Sequence, residues 1–159
     1  FGERQRFAEV ATLIEAYKLT LCRRSENLLP TSETQIWLGD SMGEMPAYFA
    51  VADIALIGGT LLPFGGQNLI EAAACGCPVL VGPHTYNFAQ ATEDALACGA
   101  AQRFSDADEA AQSAARLLTD APALKVMRQA AVDFSQAHRG ATARTVALVQ
   151  EITALRRAD

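Results

Sequence analysis

The sequence predicts an α/β fold, a mainly parallel sheet with helices on both faces. Two observations carry this. Short apolar runs alternate with helical-period segments as far as residue 118, the pattern of strand–helix–strand crossovers. Glycine-bearing turns follow three of the runs, at 39–43, 58–66 and 82–87. With 159 residues, half of them hydrophobic and 19% charged, the chain has the balance of one soluble domain with a full-sized core. A single domain over 1–159 is the expectation.

The elements follow in order. Residues 6–19 carry Phe7, Val10, Leu13, Ile14 and Tyr17 at helical spacing. An extended piece covers 20–24, and a loop with Pro30, Thr31 and Ser32 covers 25–34. Residues 35–38 read as a short strand ending at Gly39-Asp40, and 44–52 as a helix. Residues 53–58 read as a buried strand ending in glycine, 60–66 as a glycine-rich loop and 68–75 as a short helix. A buried strand at 78–81, a helix at 87–97 and a strand at 101–104 come next. Ser105 or Asp106 caps a helix running to about 118, where Asp108 and Glu109 suit the positive end of the dipole. Two closing helices, 122–137 and 142–157, have no strand after them.

Composition excludes some classes. A net charge of -5 argues against a general nucleic-acid binder, which needs a clustered excess of Lys and Arg. It leaves room for a small phosphorylated ligand. The longest apolar candidate, 50–62, is broken by Asp53 and Gly58-Gly59, so no membrane span is expected. The chain opens at Phe1 without a methionine and reads as a fragment. Cys22, Cys75, Cys77 and Cys98 sit among apolar residues. They read as reduced, buried, structural thiols. Cys75-Gly76-Cys77 lacks the C-x-x-C spacing and the second ligand pair of a zinc site.

In a parallel sheet, ligands bind beyond the carboxyl ends of the strands, so the three glycine turns are expected to converge on one crevice. The segment 58–71 (GGTLLPFGGQNLIE) runs from a strand end through a glycine loop into a helix start near Asn68. Glycine lets backbone amides approach a ligand, and a helix start adds unsatisfied N–H groups; together they suit a phosphate. Gly59, Thr60, Gly65, Gly66 and Gln67 belong to this loop. Asn68 and Glu71 share a helical face, and a carboxylate there can accept two ribose hydroxyls. A capping box, with Asn68 as cap and Glu71 reaching back, is the other reading of the pair. No G-x-x-x-x-G-K-[ST] is present. In 39–45 (GDSMGEM) the backbone could read a base edge and Glu44 a hydroxyl; a turn capped by Asp40 or Ser41 is the alternative. His84 follows Pro83 at a strand end and is either a binding or a structural residue, and His138 reads as surface or core filler.

Four segments then carry a resemblance: 37–45 (WLGDSMGEM), 52–62 (ADIALIGGTLL), 65–72 (GGQNLIEA) and 78–88 (PVLVGPHTYNF). In order and spacing they resemble consecutive motifs of the bacterial transferases that move 3-deoxy-D-manno-octulosonic acid (Kdo) from CMP-Kdo to lipid A precursors. The resemblance covers most of 6–150 and is densest from 37 to 88. It implies the C-terminal half of a GT-B glycosyltransferase, Rossmann-like, with CMP-Kdo as donor and inversion at the anomeric carbon. It implies that Ser41, Met42, Gly43 and Glu44 line the cytidine side and that Asn68 and Glu71 hold ribose and phosphate groups. Gly59, Thr60, Gly65, Gly66 and Gln67 complete the donor set, with His84 on the donor-sugar side.

The resemblance further implies no metal or other cofactor. The catalytic base and the acceptor surface are expected in an N-terminal acceptor domain outside this chain, which meets the lipid A precursor. The chain alone is therefore expected to bind CMP-Kdo and CMP but not to transfer. A place at the cytoplasmic face of the bacterial inner membrane, with the anchor outside the chain, follows from the same resemblance. Two departures stand out. Gln67 occupies the position of the family's usual histidine, and the place of the arginine that precedes the family's first helix falls at about Gly2, so that contact is expected to be lost or cut away. The alternatives are another GT-B enzyme, such as a UDP-sugar transferase or epimerase, and a non-catalytic docking module.

Overall fold

A computed structural model describes residues 2–138 and 149–150, with side chains from residue 6. The chain divides into two compact units, Phe1–Met45 and Pro46–Asp159.

In the first unit, α1 (Gly2–Ala16) leads into β1 (Leu21–Arg23), a 3-10 turn (Arg24–Glu26) and β2 (Ile36–Leu38). The strands pair in parallel, with Leu21 opposite Ile36 and Arg23 opposite Leu38. α1 packs on both. Its buried face is Ala11 and Ile14, with Phe7 half-buried above them. This corrects the expected apolar face: Leu13 and Tyr17 are 58% and 72% exposed. Positions i, i+4 and i+7 form one stripe, and alanine in its middle lets the helix sit close to the strands.

The second unit holds α2 (Met45–Val51, begun by the last residue of the first unit), β3 (Ala55–Leu56), α3 (Leu69–Ala74) and β4 (Val79–Val81). Then come a 3-10 turn (Tyr86–Phe88), α4 (Ala89–Ala97), β5 (Ala101–Arg103), α5 (Ala107–Thr119) and α6 (Ala121–His138). The sheet order is β3-β4-β5, all parallel. Val79, Leu80 and Val81 are fully buried, as the centre strand of a sheet covered on both faces requires. Val79 and Val81 join Leu69, Ala72 and Ala73 of α3, Ala95 of α4, and Ala131 and Phe134 of α6. Leu80 points the other way, to Phe104 and to Ala110 of α5. Helices therefore cover both faces, as expected.

Three expectations need correction. The strands form two sheets rather than one, because the pairings stay within each unit. The run 53–58 is not wholly buried: only Ala55 and Leu56 enter the ladder, and Leu56 is 50% exposed beside buried Ala55 and Ile57. That alternation is what an outer strand of the sheet shows. Cys98 is exposed, because it caps the end of α4 at the surface, and Cys75 is half-buried. The second closing helix, 142–157, falls outside the described residues except for helical Val149 and Gln150.

Cys75-Gly76-Cys77 has a structural explanation. The Cys77 amide donates to the Ala72 carbonyl at 3.1 Å and the Gly76 amide to the Ala73 carbonyl at 2.9 Å. With Gly76 at φ +68, this is the Schellman stop of α3. Burial pushes the Cys77 thiol up to about 11, so it is an inert core group. Among the described residues no helix is long and apolar enough to cross a membrane.

The cap of α5 is Asp106, whose side chain accepts from the Glu109 amide at 2.9 Å, while Glu109 reaches back to the Ser105 amide at 2.7 Å. The Glu109 amide holds the Asp106 carboxyl below its ordinary range. A carboxyl depressed by folding stabilises the fold above its unfolded value, about 3.9, and loses that contribution as pH falls through the folded value. Asp106→Ala is therefore expected to lower the thermal midpoint at pH 7. The gap to wild type should narrow as pH falls below about 4. A gap of constant size down to pH 3 contradicts the assignment.

Candidate functional site

Two of the three glycine turns, both in the second unit, are locked together beyond the carboxyl ends of β3 and β4. The lock is Thr60, 1% exposed. Its hydroxyl donates to the Ile57 carbonyl at 2.6 Å and accepts from the Gly82 amide at 2.9 Å. Its own carbonyl accepts from the His84 amide at 3.0 Å. A Cβ on Gly82 would stand 2.4 Å from that carbonyl oxygen, so only glycine lets the loops approach this closely. The Thr60 hydroxyl is thus spent on the scaffold, and of this predicted binding residue the backbone alone is left for a ligand.

The glycine loop is then closed from the second turn. The Gly66 amide donates to Gly59, and the Asn87 amide donates to Gly65 at 3.1 Å. The Asn87 side-chain amide spans the Phe64 and Gly66 carbonyls at 3.1 and 3.3 Å. Gly65 has φ +86, and a Cβ there would stand 2.6 Å from the Asn87 side chain. Arg103, at the end of β5, donates to the Gly82 carbonyl at 3.1 Å and pairs with Glu93 at 2.6 Å. All three strand ends of this sheet are therefore tied into one rim. His84 is half-buried on it.

At the helix start, Asn68 caps α3 by accepting from the Ile70 amide at 3.0 Å. Its amide nitrogen donates to a Glu71 oxygen at 3.0 Å. The capping reading is half met: Asn68 caps, but Glu71 takes the Asn68 side chain and not its backbone N–H. Glu71 is exposed, and among the described residues its second oxygen makes no hydrogen bond. The result is a carboxylate oriented by its neighbour and open to solvent. Gln67 is exposed beside it.

The remaining turn belongs to the first unit and is described by itself, so convergence is established for two turns and not three. Ser41 donates to one Glu44 oxygen, and Arg24 pairs with the other at 2.9 Å. Asp40 accepts from the Ser25 amide at 2.8 Å and from the Ser25 hydroxyl at 2.6 Å. The Ser25 hydroxyl holds the Asp40 carboxyl below its usual range. These bonds tie the end of β1 to the turn after β2. Gly43 lies at φ +80 in open space, and Met42 is 72% exposed. Glu44 is therefore engaged by protein groups on both oxygens.

Sequence reasoning missed Arg24, Ser25, Asn87 and Arg103. Arg24, Ser25 and Arg103 are polar residues at or just beyond a strand end, which is the signal that could have found them, whereas Asn87 lies in the 3-10 turn six residues past β4. His138 packs on the Phe134 ring with centroids 4.3 Å apart and faces Asp94 at 3.5 Å, away from the rim residues. Among the described residues no three His, Cys, Asp or Glu side chains gather as a metal site would require. An apolar groove of about 510 Å³ lies elsewhere, lined by Ala101, Leu117, Pro122, Val126 and Met127. Ala101 opens β5 whereas Arg103 closes it, so this groove sits at the end of the sheet opposite the glycine rim.

Residues 14–134 match the family of glycosyl transferases group 1, and the chain belongs to that family. Within it, the chain is similar to a 3-deoxy-D-manno-octulosonic acid transferase of Bordetella pertussis, 46% identical over 148 residues. That alignment takes in 92% of this chain and 35% of the relative. A protein of the same description from Haemophilus influenzae is 46% identical over 84 residues, 53% of this chain and 20% of the relative. The chain thus spans about a third or less of the lengths of these two relatives. A crystal structure of the C-terminal CMP-Kdo binding domain of WaaA from Acinetobacter baumannii superposes with a TM-score of 0.80 at 28% identity. It covers 84% of this chain and 69% of that one. The expected resemblance and the fold are borne out.

The lock is testable. Thr60→Val keeps the side-chain shape but leaves the buried Gly82 amide without its acceptor. Such a loss costs about 1–3 kcal/mol. Urea denaturation should find Thr60→Val destabilised by about that amount and Thr60→Ser close to wild type. Equal stability of Thr60→Val and wild type would remove Thr60 from its role.

Proposed function

We propose that this chain is the donor-binding domain of a glycosyltransferase that moves Kdo from CMP-Kdo to a lipid A precursor in lipopolysaccharide biosynthesis. The observation that carries the reading is the likeness, over 84% of the chain, to a domain described as binding CMP-Kdo. The glycine rim adds a physical reason. Its loops are rigid, lie beyond strand ends and run into the start of α3. Backbone N–H groups fixed in that way can stabilise a leaving phosphate without reorganising during reaction.

In this reading Gly59, Gly65 and Gln67 face the donor phosphate, Gly66 closes the loop through its amide's bond to Gly59, and His84 lies toward the donor sugar. Glu71, oriented by Asn68, accepts the ribose hydroxyls. Ser41, Met42, Gly43 and Glu44 line the cytidine side, with Glu44 held in place by Arg24. Gln67 can donate a hydrogen bond as a histidine does but cannot carry a proton, so it serves as a neutral donor. The base that deprotonates the acceptor hydroxyl belongs to an N-terminal acceptor domain of the same protein. The lipid A precursor docks there, at the cytoplasmic face of the bacterial inner membrane. No metal takes part, and nucleic acid is not a ligand.

Glu71→Gln tests the ribose assignment. Glutamine removes the charge and turns one of the two acceptor oxygens into a donor, and a charge-assisted bond is worth about 1.5–3 kcal/mol. Calorimetric titration with CMP should find affinity lowered about 10-fold or more, at an unchanged melting temperature. Unchanged affinity would leave Glu71 with its orienting bond to Asn68 alone. The same titration with EDTA present should give the same affinity; a chelator-sensitive one would bring a metal back into the mechanism.

A further inference from the structure

The glycine loop has its backbone polar groups sorted by side. Four successive carbonyls, 63 to 66, are drawn to the 3-10 turn that follows β4. The Tyr86 hydroxyl donates to Pro63 at 2.5 Å. The Asn87 side-chain nitrogen donates to Phe64 and Gly66, and the Asn87 backbone amide donates to Gly65. In a trans peptide the carbonyl and the following N–H point in opposite directions. Each carbonyl held by the turn therefore sends the next amide away from it, at positions 64 to 67. Two of those amides are spent inside the loop: Phe64 donates to Leu62 at 2.7 Å and Gly66 to Gly59 at 3.0 Å. The Gly65 and Gln67 amides donate to no protein group among the described residues. Gly65 is buried, and a buried N–H without an acceptor is rare in proteins.

We propose that Asn87 is a positioning residue for the donor phosphate: it holds two carbonyls back so that the Gly65 and Gln67 amides face the anion. The inference rests on the reading of this chain as a donor-binding domain and adds what aims the loop. Asn87 acts through the backbone and touches no ligand atom.

The loop needs such a hold because glycine does not supply one. Gly65 and Gly66 stand at φ +86 and +79, and glycine passes between this region and its mirror image at little cost. An unheld loop can turn the Phe64 or Gly66 carbonyl toward the phosphate, where partial negative charge meets a full one. Asn87 removes that alternative with a single nitrogen. Its primary amide carries two hydrogens, one for each carbonyl, at 3.1 and 3.3 Å. Backbone amides turned to one side in this way form the kind of concavity that binds anions. The turn also lies tight against the loop. A Cβ on Gly65 would stand 2.5 Å from the Tyr86 ring and 2.6 Å from the Asn87 side chain.

The test compares CMP with cytidine, which lacks the phosphate, in titrations of wild type, Asn87→Ala and Tyr86→Phe, with melting temperatures alongside. Wild type should bind CMP about 10-fold or more tighter than cytidine. Asn87→Ala should lose most of that advantage while its cytidine affinity stays within about 2-fold of wild type. Tyr86→Phe frees only the Pro63 carbonyl, whose partner amide is already spent on Leu62, so its CMP-to-cytidine ratio should stay within about 2-fold of wild type. An equal loss in Tyr86→Phe would make general stiffness of the loop, and not Asn87, the cause. A ratio that is the same in wild type and a folded Asn87→Ala overturns this inference alone, even if both ligands weaken together. If Asn87→Ala fails to fold, the wild-type amide spectrum decides. The Gly65 and Gln67 resonances should move with CMP and not with cytidine, and equal movement with both overturns the proposal. Wild type binding neither ligand would overturn the donor reading as well.

Discussion

One buried hydroxyl organises the candidate site. Thr60 Oγ sits between the Ile57 carbonyl and the Gly82 amide, and so joins the loop after β3 to the loop after β4. A polar group this deep must be paired, and here the pairing itself does the joining. Once the loops are joined, the His84 amide falls on the Thr60 carbonyl. Asn87 then reaches across to the Phe64 and Gly66 carbonyls. Arg103 braces the assembly from β5. The glycine positions follow from this lock. Gly82 and Gly65 lack side chains because another loop occupies the space.

A rim built this way suits the chemistry proposed for it. A leaving phosphate needs donors that already stand where charge develops. Short loops tied to three strand ends keep their amides fixed, whereas a free glycine loop would have to be ordered by the ligand at an entropic cost. Glu71 shows the same economy on a smaller scale. One neighbour, Asn68, both starts α3 and aims the carboxylate, which leaves an oxygen facing solvent. In the first unit, Ser25 and Arg24 do the corresponding work for Asp40 and Glu44.

Much of the fold was legible because its signals are local. Alternation of apolar runs with helical segments gave the strands and helices, and Asp106 and Asn68 are caps of the kind the sequence suggested. What was not legible depends on tertiary choice. α1 offers both a Leu13–Tyr17 and an Ala11–Ile14 stripe, and only packing against β1 and β2 selects the second. Exposure of Cys98 depends on where α4 ends, not on its apolar neighbours. The glycine loop, Asn68 and Glu71 could be picked out from spacing. The roles of Asn87 and Arg103 could not, because each acts on residues some 20 positions away. Thr60 was chosen as a ligand contact and proved to be the lock, since a hydroxyl in a glycine loop reads the same either way until its burial is known.

The central claim is that the glycine rim, and not the apolar groove at the other end of the sheet, receives the donor nucleotide. Amide resonances of isotope-labelled protein titrated with CMP test this directly. Shifts concentrated at Ser41–Glu44, Gly58–Gly59, Gly65–Gln67 and Asn68–Glu71, with Ala101, Val126 and Met127 unmoved, are the predicted result. Shifts centred on Ala101, Val126 and Met127 with a silent glycine rim would contradict the account.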